Sequence, residues 1–325
     1  MASPNSESSR VSTNNGSTSM NKSTRQQFAD TMFVLGQLDK NIVVLVGDIG
    51  HGMLRPYAEA CSDRYYNIGI LEPTMLTIGA GLAASGLCPV MHTITPFMIE
   101  RGFEQLKLDF CYHQLPGNIV TVGSAFDYSN LGCTHHCYGD FALLKTLPGT
   151  EICFPASAIE FDQLFRQSYK NNKLTVYRIA GYSHGYEFKN KDIVFGKGIC
   201  VKEGKDVTII ATGPQLQTAL EASDKISNNG ISAEIIYIHT ISPLDLAIIR
   251  TSIEKTKKVI VVEEHMRSGG LGDDVLRAVY DVPGLKFHSV SIPDKFVTCY
   301  GTYEQLLDFC GITSASIVEI CELWF

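Results

Sequence analysis

The chain has 325 residues, enough for about two domains and a large buried core, which excludes a disulfide-stapled miniprotein. With 45% hydrophobic and 19% charged residues, 28 Gly and 12 Pro, it has the composition of a packed globular protein and not of a disordered or fibrous one. The formal net charge is −7 and no Lys/Arg stripe is interleaved with aromatics, so no nucleic-acid partner is expected.

The first 24 residues hold 15 Ser, Thr or Asn and almost nothing apolar, and read as a disordered tail, not a secretion signal. Beyond them, short β-branched runs alternate with helical patterns, the signature of an α/β protein with largely parallel sheets. The patterns predict a helix over 25–39, a strand at 42–46, a helix over 72–85, a strand at 89–94 and a helix over 97–113. A strand at 118–122, a helix over 159–170 and a strand at 174–178 follow. Residues 181–197 have no sustained period and read as a linker, which puts a boundary near residue 190. A second α/β unit then shows buried strands at 206–211, 233–238 and 258–263, separated by helices near 214–228 and 243–255. The expected division is a tail over 1–24, one domain over 25–190 and another over 191–325.

The most apolar stretch, 74–87, is built from Gly and Ala and falls short of the roughly 18 apolar residues of a membrane span. No membrane partner is expected. Ten cysteines are scattered without paired spacing, which suits reduced thiols and a cytoplasmic location.

Several residue groups carry chemistry. Gly47, Gly50 and Gly52 in VGDIGHG form a glycine-rich turn after a strand, but without a phosphate-loop or dinucleotide pattern the turn alone reads as a tight strand-to-helix connection. Cys133, His135 and Cys137 are zinc-type ligands whose near-adjacent spacing rarely closes a tetrahedron, so no metal site is expected. Glu72 is the most informative single residue. It follows an apolar run and precedes Pro73, which places a carboxylate at the end of a strand and the start of a helix. The small residues from Gly79 to Gly86 would let a backbone or a flat ligand approach that helix closely. Taken alone, Glu72 is an ordinary helix-start acid.

It does not stand alone. The ordered set GILEPTMLTIGAGLAASGLCPVMHTITPF, Arg101, LGCTHH and PGTEICFPAS resembles the pyrimidine-binding domain of the transketolase family of thiamine-diphosphate enzymes. Downstream, VTIIATGPQLQTALEAS, ISPLD and VVEEHMRSGGLGDDV resemble that family's C-terminal domain, so the resemblance runs over residues 25–325. It implies two α/β domains of that fold, thiamine diphosphate as cofactor, and transfer of a two-carbon ketol unit between sugar phosphates or related sugars.

Under the resemblance, Glu72 matches the acid that bonds N1′ of the cofactor's aminopyrimidine, and Phe97 the aromatic that stacks on it, with Arg101 in the same cofactor-binding set. His135 matches the catalytic loop histidine that reaches donor-sugar oxygens, and His136 the variable position after it. Arg178 matches an arginine that binds an acceptor's phosphate, its ordinary reading being a surface ion pair. Asp48 and His51 match a turn lining the substrate channel. Two positions depart from the family pattern: Leu131 stands where an Asp is usual and Gly123 where a His is usual, and both normally contact the sugar. These departures leave room for a different sugar or a 2-oxo acid. The family's diphosphate motif, Gly-Asp-Gly with a downstream Asn-Asn, is not found. The resemblance therefore implies a split enzyme, in which a second, diphosphate-binding subunit supplies the diphosphate and Mg²⁺ site, in an α₂β₂ assembly. The alternatives are a subunit like deoxyxylulose-phosphate synthase or the β subunit of 2-oxo acid dehydrogenases, and a non-catalytic scaffold or regulator.

Overall fold

The structure is a computed structural model that describes residues 22–325. The expected tail up to residue 21 lies outside the described residues. Ser23 caps the first helix, Thr24–Leu38, by accepting a hydrogen bond from the Gln26 amide, so helix begins one residue before the expected start.

Twelve strands are described: β1 Ile42–Val46, β2 Tyr65–Asn67, β3 Cys88–Ile94, β4 Gly117–Val122, β5 Glu151–Cys153, β6 Leu174–Ile179, β7 Ile199–Lys202, β8 Val207–Ala211, β9 Ala233–Tyr237, β10 Thr240–Ser242, β11 Lys258–Met266 and β12 Lys286–Ile292. They form a seven-stranded sheet in the order β10-β5-β6-β4-β3-β1-β2 and a five-stranded sheet in the order β12-β11-β8-β9-β7. All pairings are parallel except one at an edge of each sheet, β10 with β5 and β7 with β9. Every residue of β1 is buried, as in β4, β6, β8 and β9, because helices cover both faces of each sheet. These continuous apolar runs are what made the strands readable.

Two apolar cores result, one on each face, and each draws residues from both sheets. Phe28, Val44, Phe161 and Tyr177 share one core with Val207, Ile235 and Ile260. Met75, Met91, Ile119 and Val176 share the other with Ile210, Ile236 and Val261. The two halves are therefore packed on common apolar interiors, and β10, from the second half of the chain, forms the edge of the first sheet beside β5.

The single helix expected over 97–113 is instead broken into Thr95–Ile99, Phe103–Gln105 and a π-helical turn over Leu106–Tyr112. Gly102 is the physical reason for the first break. A Cβ there would lie 2.4 Å from Leu76 Cδ1 and 2.7 Å from the Met98 carbonyl oxygen, so the backbone packs directly on its neighbours. Arg101, just before that glycine, folds back over the ring of Phe97. Among the described residues no helix is long and apolar enough to cross a membrane.

Candidate active site

In a parallel sheet the loops at the carboxyl ends of adjacent strands converge, and ligands bind in the crevice they form. Here β2, β1, β3 and β4 are neighbours, and the segments leaving them carry Glu72, His51, Phe97 and His135 respectively.

Glu72 opens the Glu72–Ala84 helix with Pro73 next to it, and is fully buried. Its Oε2 accepts a hydrogen bond of 2.7 Å from Arg101 Nη1, while Oε1 has no partner among the described residues. Arg101 in turn lies over the Phe97 ring, 4.4 Å from its centroid. The Phe97 ring meets His135 edge-on at 5.2 Å, and Tyr128 meets the same imidazole at 5.8 Å. Thr134 Oγ1 lies 3.0 Å from His135 Nδ1, which fixes that ring nitrogen and leaves Nε2 as the free one. Glu72, Arg101, Phe97, His135 and Tyr128 thus form one contiguous group, although they are spread over sixty-odd positions of sequence.

The turn after β1 flanks it. Asp48 has φ +69° and is tied to the end of β2, its amide donating to Asn67 Oδ1 at 3.1 Å. Gly50 has φ +85°, and a Cβ at that position would lie 2.6 Å from the His92 ring. Backbone and space both demand glycine at position 50. His51 is exposed, with Nδ1 2.9 Å from the Tyr65 hydroxyl. His92 itself is buried; burial, more than any neighbour, holds its pKa down to about 4, so it is neutral.

Two residues expected to bind substrate are buried. His136 is buried edge-on against Phe126 at 5.3 Å, and among the described residues neither ring nitrogen has a hydrogen-bond partner. Burial lowers its pKa below the usual value, the charge of His135 acting the same way. Arg178 is neither at the opening nor at the surface. It is fully buried in β6 between the rings of Phe141 and Phe154, at 4.7 and 4.4 Å, with Asp140 Oδ2 3.4 Å from its Nε. Its Nη2 donates to the carbonyl of Glu264 at 3.2 Å, across to the second sheet. Its cation joins the two halves of the molecule and is not the surface ion pair of its ordinary reading, while Nε and Nη1 have no hydrogen-bond partner among the described residues.

The sequence reading missed two residues. Arg25, in the first turn of the Thr24–Leu38 helix, has a buried Nε with no partner among the described residues, and its charge acts on both His92 and Tyr128. The signal was there, since a cation in a first turn with no acid beside it opposes the helix dipole. Tyr128 carried no signal of its own, because its importance comes from its neighbours in space. Among the described residues the one group of His, Cys, Asp and Glu with ligand atoms gathered within 4.8 Å is Cys200, Glu203 and Glu234. Lys255 already pairs with that Glu234. Cys133, His135 and Cys137 do not gather: Cys133 is exposed, while Cys137 is buried with Sγ on Glu100 Oε1 at 3.6 Å.

Comparison with known proteins bears on the same elements. Residues 20–179 match the family model described as transketolase, pyrimidine binding domain, and residues 196–317 match transketolase, C-terminal domain. A subunit of apulose-4-phosphate transketolase from Phocaeicola vulgatus is 32% identical over 91% of this chain and 95% of its own length. The 1-deoxy-D-xylulose-5-phosphate synthase of Halothermothrix orenii is 32% identical over 90% of this chain, which spans about half of that protein, 47%. A solved structure described as a split gene transketolase, inactive beta4 tetramer, superposes with a TM-score of 0.81 at 29% identity, covering 91% of this chain and 95% of the other. With Glu72, Phe97 and His135 brought together at one end of the first sheet, and with both family models matched in order, the chain belongs to the transketolase family.

Proposed function

We propose that this protein is the pyrimidine-binding subunit of a split, thiamine-diphosphate-dependent transketolase-type enzyme that transfers a two-carbon ketol unit between sugar phosphates or related sugars. The observation that carries the reading is Glu72: a buried carboxylate with one oxygen held by Arg101, the other unpartnered, beside an aromatic ring and a histidine. A buried acceptor without a partner costs free energy, so the site is built for a ligand that supplies one. An aminopyrimidine has both the ring nitrogen to meet Glu72 Oε1 and the flat face to pack on Phe97.

When bound, thiamine diphosphate supplies the nucleophilic carbon and the electron sink that carbon–carbon cleavage beside a carbonyl requires. The chain's own residues supply position and protons. Glu72 shares a proton with the ring nitrogen through Oε1, and Arg101 keeps the carboxylate from turning away. Phe97 provides the aromatic surface. His135, held through Nδ1 by Thr134, offers Nε2 to move a proton at a substrate oxygen. His51, held by Tyr65, lines the approach. Residues 25–190 form the pyrimidine-binding unit and residues 191–325 the C-terminal unit.

A second, diphosphate-binding subunit completes the enzyme and holds the Mg²⁺, in an α₂β₂ assembly located in the cytoplasm. The relative from Phocaeicola, itself called a subunit, and the split-gene transketolase, described as an inactive beta4 tetramer, support the need for a second subunit. The kinship with deoxyxylulose-phosphate synthases favours a second reading in which a 2-oxo acid is the donor. Native mass spectrometry of the protein isolated from its own source tests the assembly: a second chain with thiamine diphosphate and Mg²⁺ is expected, and a cofactor-free homo-oligomer would refute it. In that complex Glu72→Gln is expected to lower turnover on the order of 10²- to 10⁴-fold with the chain still folded. Carbon dioxide released from pyruvate, with no transfer from ketose phosphates, would select the second reading.

A further inference from the structure

Gly123 follows β4 directly and has φ +89°. A Cβ there would stand 2.9 and 3.1 Å from ring atoms of Tyr128, so the tyrosine fills the space that a side chain at 123 would take. The positive φ and the ring together restrict the position to glycine. Tyr128 is half-buried, and its ring is the second aromatic contact of His135 after Phe97. No described residue hydrogen-bonds its hydroxyl, and the charges nearest it are those of Arg25 and Asp127. Burial pushes the phenol above its usual range, so it remains an O–H donor at neutral pH. The phenol is thus half-buried, with no hydrogen-bond partner among the described residues and its ring 5.8 Å from the proposed proton-transferring imidazole.

We propose that Tyr128 determines donor choice in this enzyme: its ring bounds the site on the Gly123 side and its phenolic O–H hydrogen-bonds an oxygen of the donor. The proposal rests on the ketol-transfer reading. It makes Gly123 and Tyr128 a compensating pair, in which a bulky ring on one loop position takes over the volume given up at the other.

The test uses the complex with the partner subunit, thiamine diphosphate and Mg²⁺, and two ketose phosphates of different length, xylulose 5-phosphate and fructose 6-phosphate. Tyr128→Phe is expected to lower kcat/KM for the better donor about three- to tenfold, mainly through KM, with unfolding unchanged. Tyr128→Val is expected to shift the ratio of kcat/KM between the two donors by at least about fivefold in favour of the longer one. Calorimetric binding of the same sugars to the Glu72→Gln complex reads the contact without turnover, and Tyr128→Phe should weaken it by a similar factor. An active complex in which both variants leave rates, ratio and affinity within about twofold overturns the Tyr128 assignment alone. A complex that holds thiamine diphosphate, neither binds nor converts either sugar and releases carbon dioxide from pyruvate overturns the assignment and the ketol-transfer reading together.

Discussion

At the residue scale the most demanding arrangement is the Glu72–Arg101 pair, because the two partners sit in different environments. Glu72 is buried, whereas about half of the Arg101 side chain is exposed, so the arginine can be lost to water but the carboxylate cannot. Arg101→Leu leaves Glu72 with both oxygens unpartnered and should cost about 1–3 kcal/mol of stability, the penalty of stranding a buried polar group. Joining Glu72→Leu to it should return most of that loss, since neither polar group then remains buried. Urea denaturation of the two variants checks this, and a double variant less stable than the single one would contradict it. Glu72, Phe97 and His135 were legible in the sequence because each lies in a motif whose order along the chain resembles a known family. Arg25 and Tyr128 were not, since what singles them out is proximity to His92 and His135, on strands and loops far away in sequence. The burial of Arg178 was hidden for a related reason. Its place at the end of a strand says nothing about Phe141 and Phe154 closing over it.

At the scale of elements, continuous apolar runs announced most of the buried strands, and β1 runs over the residues its pattern predicts. Short elements escaped. β5 and β10 have three residues each and form only because neighbours offer free edges, and β12 escaped as well because its first residues are largely exposed. The helix expected over 97–113 had a helical period, but the period is silent about the packing of Gly102 on Leu76. The turn after β1 gives the sharpest prediction at this scale. Gly50→Ala must adopt φ +85° and press a methyl group into the His92 ring, and should lose about 2–4 kcal/mol. Gly52→Ala, two positions on, meets nothing within 4 Å and should stay within about 0.5 kcal/mol of the parent. Denaturation midpoints of the pair, measured side by side, separate backbone demand from a general intolerance of the turn.

At the scale of the molecule, a buried polar knot ties the halves together. Glu160, in the Ala158–Ser168 helix packed on the first sheet, accepts hydrogen bonds from His184 Nε2 at 2.8 Å, Ser157 Oγ at 2.6 Å and, from β9 of the second sheet, the Tyr237 hydroxyl at 2.6 Å. Burial alone would raise its pKa, but the charge of His184 and these three bonds outweigh burial and hold it below the usual 4.5. Folded, Glu160 therefore stays ionised at a pH where the unfolded chain has begun to take up its proton. Its contribution to stability is full above about 4.5 and is lost as pH falls through the lower folded value. Urea midpoints should fall between pH 6 and pH 3 in the parent. Glu160→Gln should be less stable at pH 6 yet show a shallower fall, and parallel profiles would contradict the assignment.

The strand β10 carries a last consequence. It belongs by sequence to the second half of the chain, but its hydrogen bonds complete the first sheet at β5. Removing the chain beyond the connecting segment near residue 190 would strip that border and leave β5 with unpaired amides and carbonyls, a template for sticking to another copy. Chimeras that exchange C-terminal halves near residue 190 therefore carry the donor's β10 into the recipient's first sheet, and its fit against β5 has to be preserved along with the donor's second sheet.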